Sequence, residues 1–314
     1  SSGGTSGAMG GQSGASGTAG DGAVGGGSAG DNNAGMSGAA GRGGASGNGG
    51  AGGTGDASAS TIVPDASWTC GMAAGIPPPT RGELVFRATL EVGMNRDAGT
   101  TQYGRRKVVD ITGGSVTGPR VEATVLTGGW DFELILSNGA VELEQIDVLR
   151  ASDGTLIYMR SCGVAPAGST EIRIVPDFEV ATSRSLAWLN TGKFVGTRVL
   201  DAARGTVELA VYDVANVMAG EPAIRLPDPT DKPQQPWNCS TQTGQRGASV
   251  FTENVTLGSS LSVGASKRGT RNIIPITGGT VTGRFTGTVL PGGADYQLVG
   301  SPTTLDARYV LRST

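Results

Sequence analysis

Apolar and polar residues alternate along short segments of this chain, and turn residues separate the segments. In Arg120–Leu126, for example, Val121, Ala123 and Val125 share one face of a predicted strand. Similar signals predict strands at Leu84–Val92, Arg106–Ile111, Trp130–Leu136, Val141–Arg150, Thr155–Arg160, Glu171–Val180, Leu186–Leu189, Phe194–Leu200 and Thr206–Val214. Short strands without a long helical period indicate an antiparallel barrel or sandwich, and a barrel is favoured because closure removes exposed edges.

The strand pattern occurs twice. Ile111–Asp131 and Ile276–Asp295 carry the same frame, with Gly-Gly pairs that predict hairpin turns. Trp237-Asn238-Cys239 likewise repeats Trp68-Thr69-Cys70. The second copy reaches Thr314 before several of the predicted strands of the first copy have been matched. The sequence therefore predicts an all-β protein with tandem antiparallel β-barrel-like domains, at residues 61–220 and 237–314, of which the second is incomplete.

Two low-complexity segments complete the predicted domain organisation. Residues 1–60 consist mostly of Gly, Ser, Ala and Thr, which cannot bury enough apolar surface to offset the entropy of ordering. We expect this segment to be a disordered tether. Residues 221–236 are rich in proline and are predicted to be a semi-rigid linker between the two repeats.

Charge and residue usage exclude several classes of function. The formal net charge is −3, with 24 Lys plus Arg. The sequence has no basic patch or stripe of the kind that would indicate nucleic-acid binding. Histidine is absent, which removes the usual general base and the commonest metal ligand. We therefore predict no metal site and no cofactor. No run approaches 18 consecutive apolar residues, so no membrane-spanning helix is predicted.

Three cysteines are present, and the repeat suggests how they pair. Cys70 precedes the first strand of its repeat, Cys162 follows a strand of the same repeat, and Cys239 aligns with Cys70. We predict a Cys70–Cys162 disulfide; the alternative is three unrelated buried thiols. A disulfide beside a Gly/Ser tether indicates an oxidising, extracytoplasmic compartment.

The repeated blocks resemble a known bacterial family. The segments ITGG, GGAD, DGTLIY and AWLN, in Arg81–Val214 and Ser249–Thr314, are similar to the family called domain of unknown function 3237. The resemblance implies a compact antiparallel β-barrel. It implies no agreed catalytic residues, since the activity of the family is not established.

Acidic residues on alternating strand positions are the candidate catalytic groups. Asp295 and Gln297 share one strand face, and Asp306 and Arg308 share another. Repeat one offers Asp131, Glu133 and Glu144 at related positions. If these faces point into the barrel, buried carboxylates can act as acid or base near neutrality. The alternatives are solvent-facing residues, structural ion pairs and turn caps.

Three further residues are weaker candidates for ligand binding. Arg106 and Arg271 occupy matching positions before the repeated block. We expect them either to anchor an anionic ligand or to lie exposed at a strand edge. Trp188 forms a ligand wall or belongs to the core.

The hypothesis that fits these observations is a bacterial cell-surface or periplasmic protein. The tether at residues 1–60 suits attachment to a membrane or surface upstream of Ser1. Binding of a small molecule or a cell-envelope partner at the barrel mouth is the first functional expectation. The alternatives are a metal-independent lyase, isomerase or hydrolase that uses the carboxylates, and a purely structural or adhesive module.

Overall fold

A computed structural model of the chain describes residues 75–76, 78–79, 82–215, 224, 247–300 and 303–314. The predicted tether, Cys70, Cys239 and all of the predicted linker except Ile224 lie outside the described residues. Ile224 forms an antiparallel bridge with Ile76 through two backbone hydrogen bonds of 2.8 and 2.9 Å. At least this point of the linker segment is therefore held beside the first repeat.

The first repeat is a closed antiparallel barrel, as predicted. Strand β1 pairs with β2 on one side and with β9 on the other, and β3 and β4 both lie between β2 and β5. The remaining neighbours, β5 to β9, pair in sequence order. The strands are β1 Glu83–Thr101, β2 Gly104–Thr117, β3 Ala123–Val125, β4 Gly129–Ile135, β5 Val141–Ala151, β6 Leu156–Ala165, β7 Glu171–Val180, β8 Phe194–Asp201 and β9 Thr206–Asp213.

The second repeat forms an incomplete sheet, which also confirms the prediction. Its centre is β12, which pairs with β10, β11, β13 and β14. Strand β14 then pairs with β15, and β13 with β16. The strands are β10 Phe251–Leu257, β11 Leu261–Ser266, β12 Gly269–Gly283, β13 Gly287–Val289, β14 Ala294–Val299, β15 Ala307–Arg308 and β16 Leu311–Ser313.

The hairpin turn predicted at Gly113-Gly114 is wrong. Strand β2 runs straight through this pair, and the pairing with β1 shifts by one residue, so that Glu91 faces Gly113 while Val92 faces Ile111. Thr112 is therefore an extra residue in β2, which makes this irregularity a β-bulge. Glycine accepts the positive φ of 143° found at Gly114 in the same place. The matching pair in β12 makes the same shift against β10. These two glycine pairs therefore bend continuous strands, whereas the predicted turn at Gly128-Gly129 agrees with the turn at 127–128 that leads into β4.

Three phenylalanine rings contact one another within the apolar core of the barrel. Phe178 makes edge contacts with Phe86 and Phe194, at centroid distances of 6.1 and 5.0 Å. The strand predicted at Leu186–Leu189 is instead a 3-10 helix, Ser185–Asn190, packed against this core. The reason lies in Asn190, whose buried amide exchanges hydrogen bonds of 2.9 and 2.8 Å with the backbone of Val180 and so replaces a strand partner.

Strand β5 shows how the two faces of the barrel wall differ. Its inward positions begin and end with apolar residues, of which Leu143 and Leu149 belong to the main core. Between them, inward positions 145 and 147 carry Gln and Asp, both buried. The outward residues Ile146 and Val148 pack against apolar residues of the second repeat. The first barrel thus has a polar region inside its wall and an apolar contact surface outside it.

Candidate functional site

Six polar side chains converge inside the first barrel, and we call them the interior polar cluster. They occupy inward positions on β4, β5, β6 and β8, where strand alternation places every second residue on the inner face. Asp131 faces Gln145 across one strand pair, and Gln145 faces Ser161 across the next. The cluster consists of Asp131, Glu133, Gln145, Asp147, Ser161 and Arg198.

Arg198 supplies the positive charge of the cluster. It reaches from β8 to β4, where its Nη2 atom donates to Asp131 Oδ2 and, at 3.3 Å, to Glu133 Oε1. The side chain of Glu133 retains 16% exposure, whereas that of Asp131 retains none. Glu133 therefore marks the side of the cluster that solvent reaches.

Asp147 occupies the deeper part of the cluster. Gln145 Nε2 donates to Asp147 Oδ2 at 2.5 Å. The other carboxylate oxygen lies against the backbone of Gly129, so that a Cβ atom at position 129 would collide with it. Glycine at the start of β4 therefore makes room for the Asp147 carboxylate.

The cluster contains several buried polar atoms without a hydrogen-bond partner among the described residues. They are Asp131 Oδ1, Gln145 Oε1, Asp147 Oδ1, Ser161 Oγ and Arg198 Nε. Their residues are between 0 and 3% exposed. Buried polar groups in folded proteins are nearly always paired, and each unpaired one costs about 1–3 kcal/mol. Five such atoms in one region indicate a place where a bound molecule or water completes the hydrogen bonding.

Burial shifts the acid–base behaviour of the two inner carboxyl groups. Removal from water raises the pKa of Asp131 to about 7, although the Arg198 charge opposes the rise. Burial likewise raises the pKa of Asp147 to about 7, opposed by the hydrogen bond from Gln145. Both carboxyls therefore change protonation near neutral pH, which suits proton exchange with a bound molecule.

The structure brings together two of the predicted site residues of repeat one and separates the third. Asp131 and Glu133 both lie inside the barrel beside Arg198. Glu144 lies on the outer face of β5, where it accepts hydrogen bonds of 2.7 Å from Arg160 Nε and from Arg308 Nη1 of the second repeat. Glu144 is therefore part of the contact between the repeats and lies outside the interior polar cluster.

The candidates of repeat two form pairs of their own. Gln297 Nε2 donates to Asp295 Oδ2 at 3.0 Å, and Arg308 Nε donates to Asp306 Oδ1 at 3.1 Å. The structure thus places the arginine between Asp306 and Glu144, across the repeat contact, and does not join the two predicted pairs into one site.

Arg271 is buried and paired, which excludes the exposed position considered for it. Its Nη2 and Nε atoms donate to the buried carboxylate of Glu179 in β7, at 2.5 and 3.2 Å. Its Nη1 atom donates to the backbone oxygen of Tyr296 at 3.1 Å, and its guanidinium lies 4.8 Å from the Tyr158 ring centroid. Arg271 therefore ties the second repeat to the first.

Trp188 belongs to the core side of the barrel. Its ring lies 6.1 Å from that of Phe194, and the guanidinium of Arg120 lies 3.8 Å above it. Cys162 lies in β6 and packs against a small apolar cluster that includes Ile76. The predicted partner, Cys70, lies outside the described residues, so the disulfide stays a prediction.

Four members of the interior polar cluster were not predicted as site residues. Gln145 and Asp147 carry a signal, since they are polar residues at alternate positions in an otherwise apolar strand pattern. Ser161 and Arg198 carry none that sequence alone distinguishes from a surface residue. Within the described residues, no group of three or more His, Cys, Asp or Glu side chains is arranged to hold a metal ion. The helical part of that same region offers no segment with the length and apolarity for a membrane span.

Comparisons with known proteins point to one uncharacterised family. The family model described as "Protein of unknown function (DUF3237)" matches residues 80–214 and 247–314. A UPF0311 protein from Bradyrhizobium diazoefficiens is 30% identical over 158 residues, which cover 45% of this chain and 99% of that protein. A UPF0311 protein from Rhodopseudomonas palustris is 32% identical over 87 residues, 28% of this chain. The chain spans only 57% of that second relative's length.

Solved structures with a similar fold cover less than half of this chain. A conserved protein of unknown function from Rhodopseudomonas palustris shares 27% identity over 42% of this chain and 96% of its own, with a TM-score of 0.39. A β-barrel-like protein from Acinetobacter baumannii shares 22% identity over 44% of this chain and 97% of its own, with a TM-score of 0.38.

Proposed function

We propose that this chain, which belongs to the DUF3237 family of proteins of unknown function, binds a small polar molecule at the interior polar cluster of its first barrel. The observation that carries the proposal is the set of five buried polar atoms, contributed by four strands, that have no hydrogen-bond partner within the part of the chain that the structure describes. A protein that only needed a stable core would gain by filling these positions with apolar side chains. Polar groups placed inside an otherwise apolar interior are typical of ligand recognition.

The experiment that tests this proposal is a thermal-shift screen of the full chain. The probes are a panel of sugars, polyols, amines and carboxylic acids at millimolar concentration. We expect at least one probe class to raise the unfolding temperature, because a molecule that binds the folded state alone stabilises it. No shift with any class would remove the support for binding.

Paired variants locate the binding. Ser161→Val removes one of the unpartnered atoms and places an isopropyl group beside Gln145 and Asp147. Ser115→Val makes the same chemical change at an exposed position in β2. The thermal shift is expected to shrink in the first variant and to persist in the second. An equal shift in both variants would place the binding elsewhere.

The second candidate function is metal-independent acid–base catalysis, as a lyase, isomerase or hydrolase. The observation that favours it is the pKa of about 7 for both Asp131 and Asp147, which makes them suitable proton donors or acceptors at neutral pH. Once a turned-over substrate is found, Asp147→Asn is expected to lower kcat by about 10²- to 10⁴-fold. Unchanged turnover in that variant would exclude Asp147 from proton transfer.

The proposal includes an extracytoplasmic location. One support is the Gly/Ser-rich composition of residues 1–60. The other is the position of Cys162, which packs in the same apolar cluster as Ile76. Ile76 follows Cys70 by only six positions in the sequence. A Cys70–Cys162 disulfide would then close the barrel wall against the segment that precedes β1. Mass spectrometry under non-reducing conditions tests the pairing, and a free thiol at Cys162 in secreted protein would contradict it.

A structural or adhesive module is the remaining alternative. It makes the opposite prediction in the thermal-shift screen, because a module of that kind needs no occupant at the interior polar cluster. The contact between the repeats fits either function, since it lies on the outer face of β5 to β7 and does not involve the interior polar cluster.

A further inference from the structure

We infer that the molecule bound at the interior polar cluster is a small organic cation with several N–H donors, such as an alkylguanidinium or alkylammonium compound. The inference rests on the proposed function, because it names the chemical class that the same site takes. Hydrogen-bond polarity, charge and the neighbouring apolar residues support it independently.

The unpartnered atoms are mostly acceptors. Asp131 Oδ1, Gln145 Oε1 and Asp147 Oδ1 accept hydrogen bonds, Arg198 Nε donates one, and Ser161 Oγ can do either. When both carboxyl groups are ionised, a molecule that completes this set has to donate at least three hydrogen bonds. A carboxylate or phosphate offers acceptors to a site that already has an excess of them. The polarity of the site therefore selects a donor-rich ligand and disfavours an anion.

The charges of the cluster are also unbalanced. Asp131, Glu133 and Asp147 face a single guanidinium, that of Arg198, which contacts the first two. Among the described residues, Asp147 forms a hydrogen bond with Gln145 and no ion pair. A buried carboxylate needs a cation in contact if it is to remain ionised. An N–H cation beside Asp147 supplies both the missing charge and the missing donors.

Apolar neighbours provide for the alkyl part of such a cation. Leu143 faces Glu133 across the β4–β5 pair, and Ile172 faces Arg198 across the β7–β8 pair. Both Leu143 and Ile172 belong to the main core and share the inner face of the barrel with the polar residues. A short alkyl chain therefore extends from the cationic group along these side chains toward Glu133, where the cluster meets solvent.

The binding is linked to protonation. The ionisable groups that interact electrostatically with Asp147 are Asp131 from β4, Arg198 from β8 and Tyr296 from β14, and Asp131 in turn interacts with Glu133. Because the pKa of Asp147 lies at about 7, the carboxyl is mostly protonated at pH 6 and mostly ionised at pH 8. A cation seated against it is expected to bind about tenfold more tightly at pH 8 than at pH 6. An uncharged polyol has no comparable reason to prefer the higher pH.

The test is an NMR titration of the full chain, read at the side-chain amide of Gln145. The probes are ethylguanidinium, glycerol and propionate, each at pH 6 and pH 8. We expect saturable shifts with ethylguanidinium, about tenfold weaker affinity at pH 6, and no saturable response to propionate. Asp147→Asn is expected to reduce the pH dependence to the part that Asp131 contributes, while Glu122→Gln, which changes an exposed carboxylate, keeps it in full.

The other outcomes separate the inference from the proposal beneath it. Saturable binding of glycerol or propionate without ethylguanidinium would overturn the cation assignment and leave binding at the cluster intact. No response at Gln145 to any probe would overturn both. Ethylguanidinium binding with equal affinity at both pH values in the unmodified chain would overturn the contact with Asp147, independently of how any variant folds.

Discussion

Replacing Asp147 with asparagine should stabilise the protein at alkaline pH and leave it nearly unchanged at acidic pH. The carboxyl is fully buried and, among the described residues, receives one hydrogen bond, from Gln145. Asparagine has the same shape and never ionises. Its amide can also donate to the unpartnered Oε1 atom of Gln145. The substitution therefore removes a buried charge without leaving a cavity.

The magnitude follows from the change in pKa on folding. Burial raises the pKa of Asp147 from its ordinary value of 3.8 to about 7. One pKa unit corresponds to about 1.4 kcal/mol, so ionising this group in the folded protein costs about 4 kcal/mol relative to the unfolded chain. Since the pKa of Asp147 is higher in the folded state, the contribution of this carboxyl to stability is fully present below about pH 4. It is lost as the pH rises through 7.

Urea unfolding of the full chain between pH 4.5 and 8.5 measures this effect. The free energy of unfolding of the unmodified protein should fall with rising pH, by up to about 1.4 kcal/mol per pH unit for each such carboxyl. Asp131 also contributes to the slope, and the Asp147 charge is the smallest of the causes that raise its pKa, so the difference between Asp147→Asn and the unmodified chain reports mainly on position 147. Glu122→Gln is the matched control at an exposed carboxylate.

The reasoning would be refuted if the difference in the free energy of unfolding between the variant and the unmodified chain did not change with pH. If the free energies of unfolding of Asp147→Asn and of the unmodified chain differ by the same amount at every pH from 4.5 to 8.5, then ionising the Asp147 carboxyl does not destabilise the folded protein as its burial implies. A variant that is less stable at pH 8 would mean that the ionised carboxylate has a cation partner in the protein alone.

Three further substitutions test the surroundings of the site. Arg198→Met leaves two carboxylates of β4 without their cation, and we expect a loss of about 3–5 kcal/mol in the free energy of unfolding at pH 8, with a smaller loss at pH 5. Gly129→Ala pushes the Asp147 carboxylate aside, so probe affinity in the NMR titration should fall while β4 still forms. Arg271→Met removes the nearest cation of the buried Glu179 carboxylate, which keeps the hydrogen bond from Ser266 and a 3.5 Å contact with Arg268. Calorimetry should show a lower unfolding temperature, which Glu179→Gln partly restores in the double variant.

The barrel could be predicted from sequence because its signals are local. Alternation within each strand and the repeated glycine pairs specify the strand class and most strand positions. The bulge at Gly113-Gly114 could not be distinguished from a turn, since both use glycine at positive φ. The 3-10 helix escaped prediction because the tertiary hydrogen bonds of Asn190 to Val180 fix it.

The site depended on register, which sequence left open. Glu144 and Gln145 are neighbours, yet one lies in the repeat contact and the other inside the barrel. Arg198 lies 67 positions after Asp131, and no local pattern links them. Arg308 and Glu144 are likewise 164 positions apart. Closure of the barrel and docking of the second repeat bring these pairs together, so only the three-dimensional arrangement reveals them.

The most direct test of binding inside the first barrel is a crystal structure of the full chain soaked with ethylguanidinium at pH 8. The account predicts density for the probe within hydrogen-bond distance of Asp147 Oδ1, with Asp131 Oδ1 or Gln145 Oε1 as a second contact. Interior atoms surrounded only by ordered water, with the probe absent or bound elsewhere on the protein, would contradict it.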